Sequence, residues 1–241
     1  MLVASTVSAV VLVRNEAQDL ADCLQSLSWA DERLVIDSFS VDGSARIDAH
    51  GTRVVERRFT NFSDQREAGL RLAAHDWVFF VDADERVSDE LRDEIVRRVG
   101  VEEFFGYWVP RRNRIFGHWM RATGWSPDFQ LRLMDRRHAV YDRDRPVHEL
   151  AEIDGRVGHL ECELLHLSYE DVRGFRRQQR VYAQLVAEGM IRSGVRRRVT
   201  AMFFQPIREF WRRMFTKFRF LRGKTYGYFF RNVRPGNPDN F

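Results

Sequence analysis

A short apolar run that ends in carboxylates constrains this chain more than any other feature. Residues 77–81, Trp-Val-Phe-Phe-Val, have the length and the aromatic and β-branched character of a strand buried on both faces of a parallel sheet. Asp82, Asp84 and Glu85 follow at once, at the strand end where open α/β sheets bind their ligands. Such carboxylates hold Mg²⁺ or Mn²⁺ together with substrate phosphates. The alternative is an acidic turn that caps the next helix.

The first hundred residues alternate between short apolar strands and amphipathic helices. The pattern predicts further strands at residues 7–13, 34–36 and 53–55. It also predicts helices at residues 61–74, capped by Asn61 or Ser63, and at 88–99, capped by Ser88. Strands and helices in this order indicate βαβ units and an α/β fold with a mainly parallel sheet.

Polar residues follow each predicted strand, so the carboxyl edge of the sheet is the predicted ligand site. Those residues are Asn15 and Glu16, Asp37, and Asp82 and Asp84. No Gly-x-Gly-x-x-Gly follows the first strand, and no complete Walker-type Gly-x-x-x-x-Gly-Lys-Ser/Thr motif occurs. This disfavours dinucleotide oxidoreductases and P-loop enzymes. The two cysteines, Cys23 and Cys162, are too few for a disulfide framework and indicate a reducing, cytosolic setting.

The chain combines an acidic body with a basic tail. The segment from Glu170 onward contains 17 basic and 5 acidic residues. The other 22 of the 39 basic residues and 30 of the 35 acidic residues lie before Glu170. In the tail, apolar side chains recur at helical spacing and arginine and lysine fill much of the remainder, as in an interfacial amphipathic helix. The alternative is a core helix with a solvated basic side. Nucleic acid binding is disfavoured, because the aromatic residues follow a helical stripe. The stripe consists of Ile207, Phe210, Trp211, Met214, Phe215 and Phe218.

Several segments resemble glycosyltransferase family 2, and within it the bacterial lipopolysaccharide core β-1,4-glucosyltransferases. The resemblance begins with three segments: Val-Val-Leu-Val-Arg-Asn-Glu at residues 10–16, the turn at residues 36–44 and the acidic motif at residues 76–86. Later segments extend it along nearly the whole chain. They are residues 124–128 with 131–133, residues 147–149, 164–166 and 220–224.

The resemblance implies a GT-A fold and an inverting transfer of a sugar from a nucleotide-sugar donor. It implies that Asp84 holds a divalent cation, Mg²⁺ or Mn²⁺, on the donor pyrophosphate. Asp82 would face the ribose or the metal, and His166 would be the last metal ligand or a structural histidine. Arg132 would bind phosphate or form a structural ion pair. The remaining residues that the resemblance assigns to the donor are Asn15, Glu16, Asp37, Asp42, Gln65 and Arg66.

Inversion by direct displacement requires a general base that takes the proton of the acceptor hydroxyl. The family places this acid just before a Leu-x-Arg-Leu-like run, which Asp128 matches. Glu149 is the competing base. Trp125 and His148 are the predicted acceptor residues, and Trp125 could equally belong to the core.

The expectation is therefore a metal-dependent hexosyltransferase that uses a UDP-sugar, carrying glucose or another hexose, and a lipid-linked glycan such as lipopolysaccharide core. We expect a glycosyltransferase domain over residues 1–168, with a nucleotide-sugar half at about 1–100 and an acceptor half at about 101–168. Residues 169–241 would form a helical, membrane-associating extension on the cytoplasmic face of the bacterial inner membrane. The alternatives are a polyprenyl-phosphate sugar transferase and a non-catalytic nucleotide-sugar-binding membrane protein.

Overall fold

A computed structural model describes most of the first 168 residues and a few beyond them. The described residues are 5–47, 51–101, 103–121, 126, 128–142, 150–168, 172, 174–176, 180, 183, 204, 207, 208, 210 and 211.

The first half of the chain alternates strands and helices as the apolar pattern predicts. Its elements are β1 (Val7–Val13), α1 (Ala17–Ser26), β2 (Glu32–Asp37), a 3-10 helix (Ser44–Arg46), β3 (Thr52–Glu56), α2 (Phe62–Leu72), β4 (Trp77–Asp82), β5 (Glu85–Arg86) and α3 (Asp89–Arg98). Strands dominate the part that follows. Its elements are β6 (Gly106–Ile115), β7 (His118–Trp119), β8 (Asp128–Asp135), β9 (Ala139–Val140), β10 (Glu152–Ile153), β11 (Val157–His159) and β12 (Leu164–His166).

One large mixed sheet organises the described part of the chain. Its strand order is β3-β2-β1-β4-β8-β6-β12-β5, with β7 and β11 also paired to β6. The strands β3, β2, β1 and β4 run parallel. β8 then enters between β4 and β6 and is antiparallel to both. β12 runs parallel to β6 and antiparallel to β5, so the late strands bring new side chains to the carboxyl edge of β4.

Helices cover both faces of β1 and β4, which explains why these two strands are almost entirely apolar. On one face α1 and α3 pack on β1 and β4, and on the other face α2 packs on β1, β2 and β4. Gly69 of α2 makes this second contact close, because a Cβ atom there would lie 2.8 Å from the ring of Phe80. The predicted caps are confirmed: Asn61 Oδ1 accepts the Asp64 N–H and Ser88 Oγ accepts the Leu91 N–H.

The chain divides into two compact units, Met1–Ser193 and Gly194–Phe241. The sheet described above belongs to the first unit. A search of the described residues finds no helix with both the length and the apolar character that a membrane crossing needs. The predicted boundary between residues 168 and 169 remains a prediction.

Candidate active site

A network of short polar contacts joins the turn after β1 to the loop after β2. Asn15 has a φ of 59°, a left-handed conformation that asparagine tolerates better than most residues. Its Oδ1 accepts the Val41 N–H at 2.9 Å. Asp42 Oδ2 accepts the Ala17 N–H at 2.9 Å and Ser44 Oγ accepts the Glu16 N–H at 3.0 Å. The loop after β2 therefore caps the amino end of α1.

Asp37 and Gln65 lie beneath this loop. Asp37 is fully buried, and its carboxylate accepts the backbone N–H and the hydroxyl of Ser40. Gln65 is 1% exposed, and its amide donates to Ser38 Oγ and to the carbonyl of Arg57, both at 3.3 Å. Both predicted donor residues thus hold the loop in place, and their contact with a donor remains a prediction.

Negative charge accumulates at the carboxyl ends of β1 and β4. The pKa of Glu16 is raised from 4.5 to about 7, first because partial burial disfavours the charged form and then because Asp84, Asp19, Asp42 and Asp82 repel it. The pKa of Asp42 lies below its ordinary value, first because Ser44 donates to it. The structure therefore brings Glu16, Asp42 and Asp84 together at one acidic edge.

Asp82 is neutralised by arginines. Both guanidinium amines of Arg132 donate to its carboxylate, and Arg66 lies 3.8 Å from Asp82 Oδ1. Burial opposes the ionisation of Asp82, but Arg132 and Arg66 hold its pKa well below the ordinary range. Arg132 also donates to the fully buried Glu85 at 2.8 Å. Arg132 is predicted either to bind phosphate or to form a structural ion pair. Its described contacts are those of an ion pair.

Asp128 lies at the start of β8 and is held by three side chains. Arg111 Nε donates to it at 2.9 Å, Asn113 Nδ2 at 3.2 Å and Gln130 Nε2 at 2.7 Å. Partial burial raises the pKa of Asp128, but Arg111, Asn113 and Gln130 together bring it below the ordinary value. Asp128 is therefore an ionised, fixed carboxylate at neutral pH.

Asp84 and His166 meet at the same edge. His166 Nε2 lies 3.1 Å from Asp84 Oδ2, and His166 Nδ1 lies 2.6 Å from Asn113 Oδ1. β12 sets this geometry, because His166 is the register partner of Asn113 on one side and of Glu85 on the other. Two predicted metal ligands that lie 82 residues apart in the sequence are thus neighbours.

Asp84 and His166 fit a divalent cation, which carboxylate oxygens and imidazole nitrogens both bind. A histidine ligand usually donates its other ring N–H to an oxygen acceptor, and Asn113 Oδ1 supplies that acceptor here. Among the described residues no group of three or more acidic, histidine or cysteine side chains is arranged to hold a metal. Asp82, the third predicted ligand, instead contacts Arg132. A donor phosphate would have to complete the coordination.

Three predicted site residues lie outside the described part of the chain: Glu149, Trp125 and His148. Conversely, the structure adds side chains that sequence reasoning did not assign. They are Arg111, Asn113 and Gln130, whereas Glu85, the third carboxylate predicted after β4, is paired with Arg111 and Arg132. The available signal was the alternation of polar and apolar residues along residues 128–132, which becomes informative only once this strand is known to pair with β6.

Comparison with known proteins supports the fold and shows the family. The family described as glycosyl transferase family 2 matches residues 8–147 of the chain. The lipopolysaccharide core biosynthesis glycosyltransferase LpsC of Rhizobium meliloti (strain 1021) is 29% identical over 207 residues, which are 83% of this chain and 77% of LpsC. An uncharacterized glycosyltransferase of Rickettsia felis is 34% identical over 91 residues, 37% of this chain and 32% of that protein.

Solved structures share the fold at low sequence identity. The crystal structure of S. aureus TarS 1-349 aligns with a TM-score of 0.53 at 14% identity, over 75% of this chain and 65% of that one. The same fragment in complex with UDP aligns with a TM-score of 0.52. The chain has the GT-A fold, is a glycosyltransferase related to lipopolysaccharide core enzymes, and belongs to glycosyltransferase family 2.

Proposed function

We propose that the chain is an inverting, metal-dependent hexosyltransferase that moves a sugar from a nucleotide-sugar to a lipid-linked glycan such as lipopolysaccharide core. One observation carries the proposal. Asp84 and His166, the proposed cation ligands, are joined through Asn113 to the ionised carboxylate of Asp128. A site for the donor diphosphate and a base for the acceptor thus lie in one connected group.

The need for a cation follows from the charge of the carboxyl edge. The two donor phosphates would be repelled by Glu16, Asp42 and Asp84. Partial burial, followed by repulsion from the neighbouring carboxylates, already raises the pKa of Glu16 to about 7. A bound Mg²⁺ or Mn²⁺ would offset this repulsion and stabilise the charge that develops on the leaving diphosphate. Asp84 and His166 would hold it from the protein side.

Asp128 is the proposed general base. Its pKa lies below the ordinary value, so the carboxylate is ionised at neutral pH and can accept the proton of an acceptor hydroxyl. Arg111, Asn113 and Gln130 fix its orientation, which favours one angle of attack on the anomeric carbon. Glu149 remains the competing candidate.

A uridine diphosphate donor is the proposed class. The support is the shared fold with TarS, whose 1-349 fragment has been crystallised in complex with UDP. In this proposal the nucleoside would contact the edge built by the turn after β1 and the loop after β2. The contributing residues would be Asn15, Glu16, Asp37, Asp42, Gln65 and Arg66.

The proposed acceptor is a lipid-linked glycan, and the support is the relationship to LpsC, a lipopolysaccharide core biosynthesis enzyme. Trp125 and His148 would contact this acceptor.

We further propose peripheral attachment to the cytoplasmic membrane face. In the extension, Phe204, Ile207, Phe210 and Trp211 are helical and expose 69%, 55%, 59% and 48% of their surface. Exposed apolar residues beside many arginines favour an interfacial helix.

The test of this function is donor binding followed by transfer. UDP-, GDP- and dTDP-sugars are compared by thermal shift with and without Mn²⁺, using wild type and Asp84→Asn. We expect one UDP-hexose to raise the melting temperature of the wild type only with Mn²⁺, because a ligand that binds only the folded state stabilises it. The Asp84→Asn variant should not show this Mn²⁺-dependent rise in melting temperature. The donor is then offered lipopolysaccharide core and a polyprenyl phosphate, and preferential transfer to the polyprenyl phosphate would contradict the proposed acceptor.

A further inference from the structure

Asn113 occupies a central position between the two functional halves of the site. Its side chain is fully buried on β6. Its Oδ1 lies 2.6 Å from His166 Nδ1 on β12, and its Nδ2 lies 3.2 Å from Asp128 Oδ2 on β8. One amide therefore contacts both the histidine beside Asp84 and the proposed base.

The ionised state of Asp128 fixes which way this amide points. A carboxylate can only accept hydrogen bonds, and the pKa of Asp128 is lowered by Arg111 and its other donors. Asn113 must therefore turn its NH₂ group toward Asp128 and its carbonyl oxygen toward His166. Because that oxygen can only accept, His166 Nδ1 must carry a proton.

The proton on Nδ1 decides what Nε2 can do. In a neutral ring that has its proton on Nδ1, Nε2 presents a lone pair toward Asp84, 3.1 Å away, where a cation would lie. Without an acceptor at Nδ1, the proton of a neutral ring would move to Nε2, because Asp84 accepts it there. Nε2 would then be blocked as a metal ligand.

We propose that Asn113 is a positioning residue that sets the tautomer of His166 for cation binding and, through the same amide, orients Asp128 for proton transfer. This inference rests on the proposed function and adds to it a coupling between the metal ligand and the base. The two roles use different atoms of one side chain, so substitutions can separate them.

Asn113→Ala removes both roles, whereas Asn113→Asp removes only one. The new carboxylate still accepts the Nδ1 proton of His166, but it cannot donate to Asp128 and repels it. Gln130 is the matched control, because it donates to Asp128 at 2.7 Å and has no described contact with His166. Gln130→Ala should therefore disturb the base alone.

The first measurement is Mn²⁺ affinity of the full chain with UDP present, from the electron paramagnetic resonance signal of the free ion, together with kcat. We expect Asn113→Ala to weaken Mn²⁺ binding by about 10- to 100-fold, as is typical when the partner of a histidine ligand is lost. Asn113→Asp and Gln130→Ala should bind Mn²⁺ like the wild type and yet show a lower kcat.

The second measurement reads the tautomer without metal or substrate. Long-range ¹H–¹⁵N spectra of the histidine rings are recorded at pH 8, and His166 is assigned from the signals that vanish in His166→Gln. We expect Nδ1 of His166 to carry a proton in the wild type and in Asn113→Asp. In Asn113→Ala we expect the proton on Nε2 only.

The inference is overturned if Asn113→Ala keeps its Nδ1 proton, or if folded Asn113→Ala binds Mn²⁺ as tightly as the wild type. It is also overturned if Asn113→Asp loses Mn²⁺ affinity as fully as Asn113→Ala, since the retained acceptor should rescue binding. Failure of the proposed function has a different signature: the wild type itself would then show no Mn²⁺-dependent binding of UDP.

Discussion

Arg132 donates a hydrogen bond to Glu85 across 2.8 Å, and the two side chains expose only 2% and 0% of their surface. The same guanidinium donates to Asp82, and Arg111 links Glu85 onward to Asp128. Acidic and basic groups therefore alternate from the end of β4 to the start of β8. The ladder consists of Asp82, Arg132, Glu85, Arg111 and Asp128.

Arg132→Met should destabilise the protein strongly. Loss of one member of a buried ion pair costs about 3–5 kcal/mol, because the partner charge stays buried without compensation. Urea denaturation measures the change in free energy of unfolding. Arg156→Met is the control, because Arg156 and Glu103 form an exposed pair, and its loss should cost about 0–1 kcal/mol. Equal effects of the two substitutions would contradict a structural role for the ladder.

Asp128→Asn should abolish most turnover while donor binding survives. Loss of a general base lowers kcat by about 10²–10⁴. The amide oxygen that Asp128→Asn leaves can still accept from Asn113 Nδ2, so Asn113 keeps its orientation toward His166 and the thermal shift with UDP and Mn²⁺ should persist. Glu149→Gln should have the smaller effect on kcat. A larger loss of kcat in Glu149→Gln than in Asp128→Asn would transfer the role of the base to Glu149.

Glu16→Gln should stabilise the protein above neutral pH. The folded-state pKa of Glu16 is about 7 against an ordinary value of 4.5, so the folded wild type binds the proton more tightly than the unfolded chain. Its stability therefore falls as pH rises through that window. Because Glu16 is only partly buried and remains in contact with solvent, we expect a gain of only about 1 kcal/mol at pH 8 after solvent screening, and none at pH 4.

Chemical denaturation of wild type and Glu16→Gln at both pH values checks this expectation. Asp22→Asn is the control, because its side chain lies on the same helix and is 80% exposed. It should change stability by less than about 0.5 kcal/mol at either pH. A gain in Glu16→Gln that is equally large at pH 4 would show that charge repulsion is not its cause.

Substitution of the exposed apolar residues in the extension should release the chain from membranes. Phe210→Glu with Trp211→Glu should reduce sedimentation with anionic liposomes by tenfold or more, since each buried apolar side chain contributes about 1.5–3 kcal/mol. Val96→Glu is the control, because Val96 of α3 is also exposed, at 53%. Unchanged binding of the double variant, with or without added salt, would contradict the proposed membrane attachment.

Local patterns explain which parts of the fold could be predicted. The strands β1 and β4 follow from continuous apolar runs, and the caps Asn61 and Ser88 follow from side chains that bond their own helix. The position of β8 between β4 and β6 depends on pairing between strands that are distant in the chain, and no local pattern encodes it. The same limit applies to the site. Asp84 belongs to a local sequence motif, whereas the role of Asn113 can be inferred only once β8 and β12 are known to flank β6.

The insertion of β8 beside β4 has a consequence for how this enzyme can be divided. A fragment that stopped near residue 100 would lose the neighbour that covers the outer edge of β4. Its most apolar strand would then present an open row of backbone donors and acceptors, which invites aggregation. The proposed donor and acceptor halves therefore share one continuous sheet, and swapping the donor half between relatives would require exchanging β8 with it.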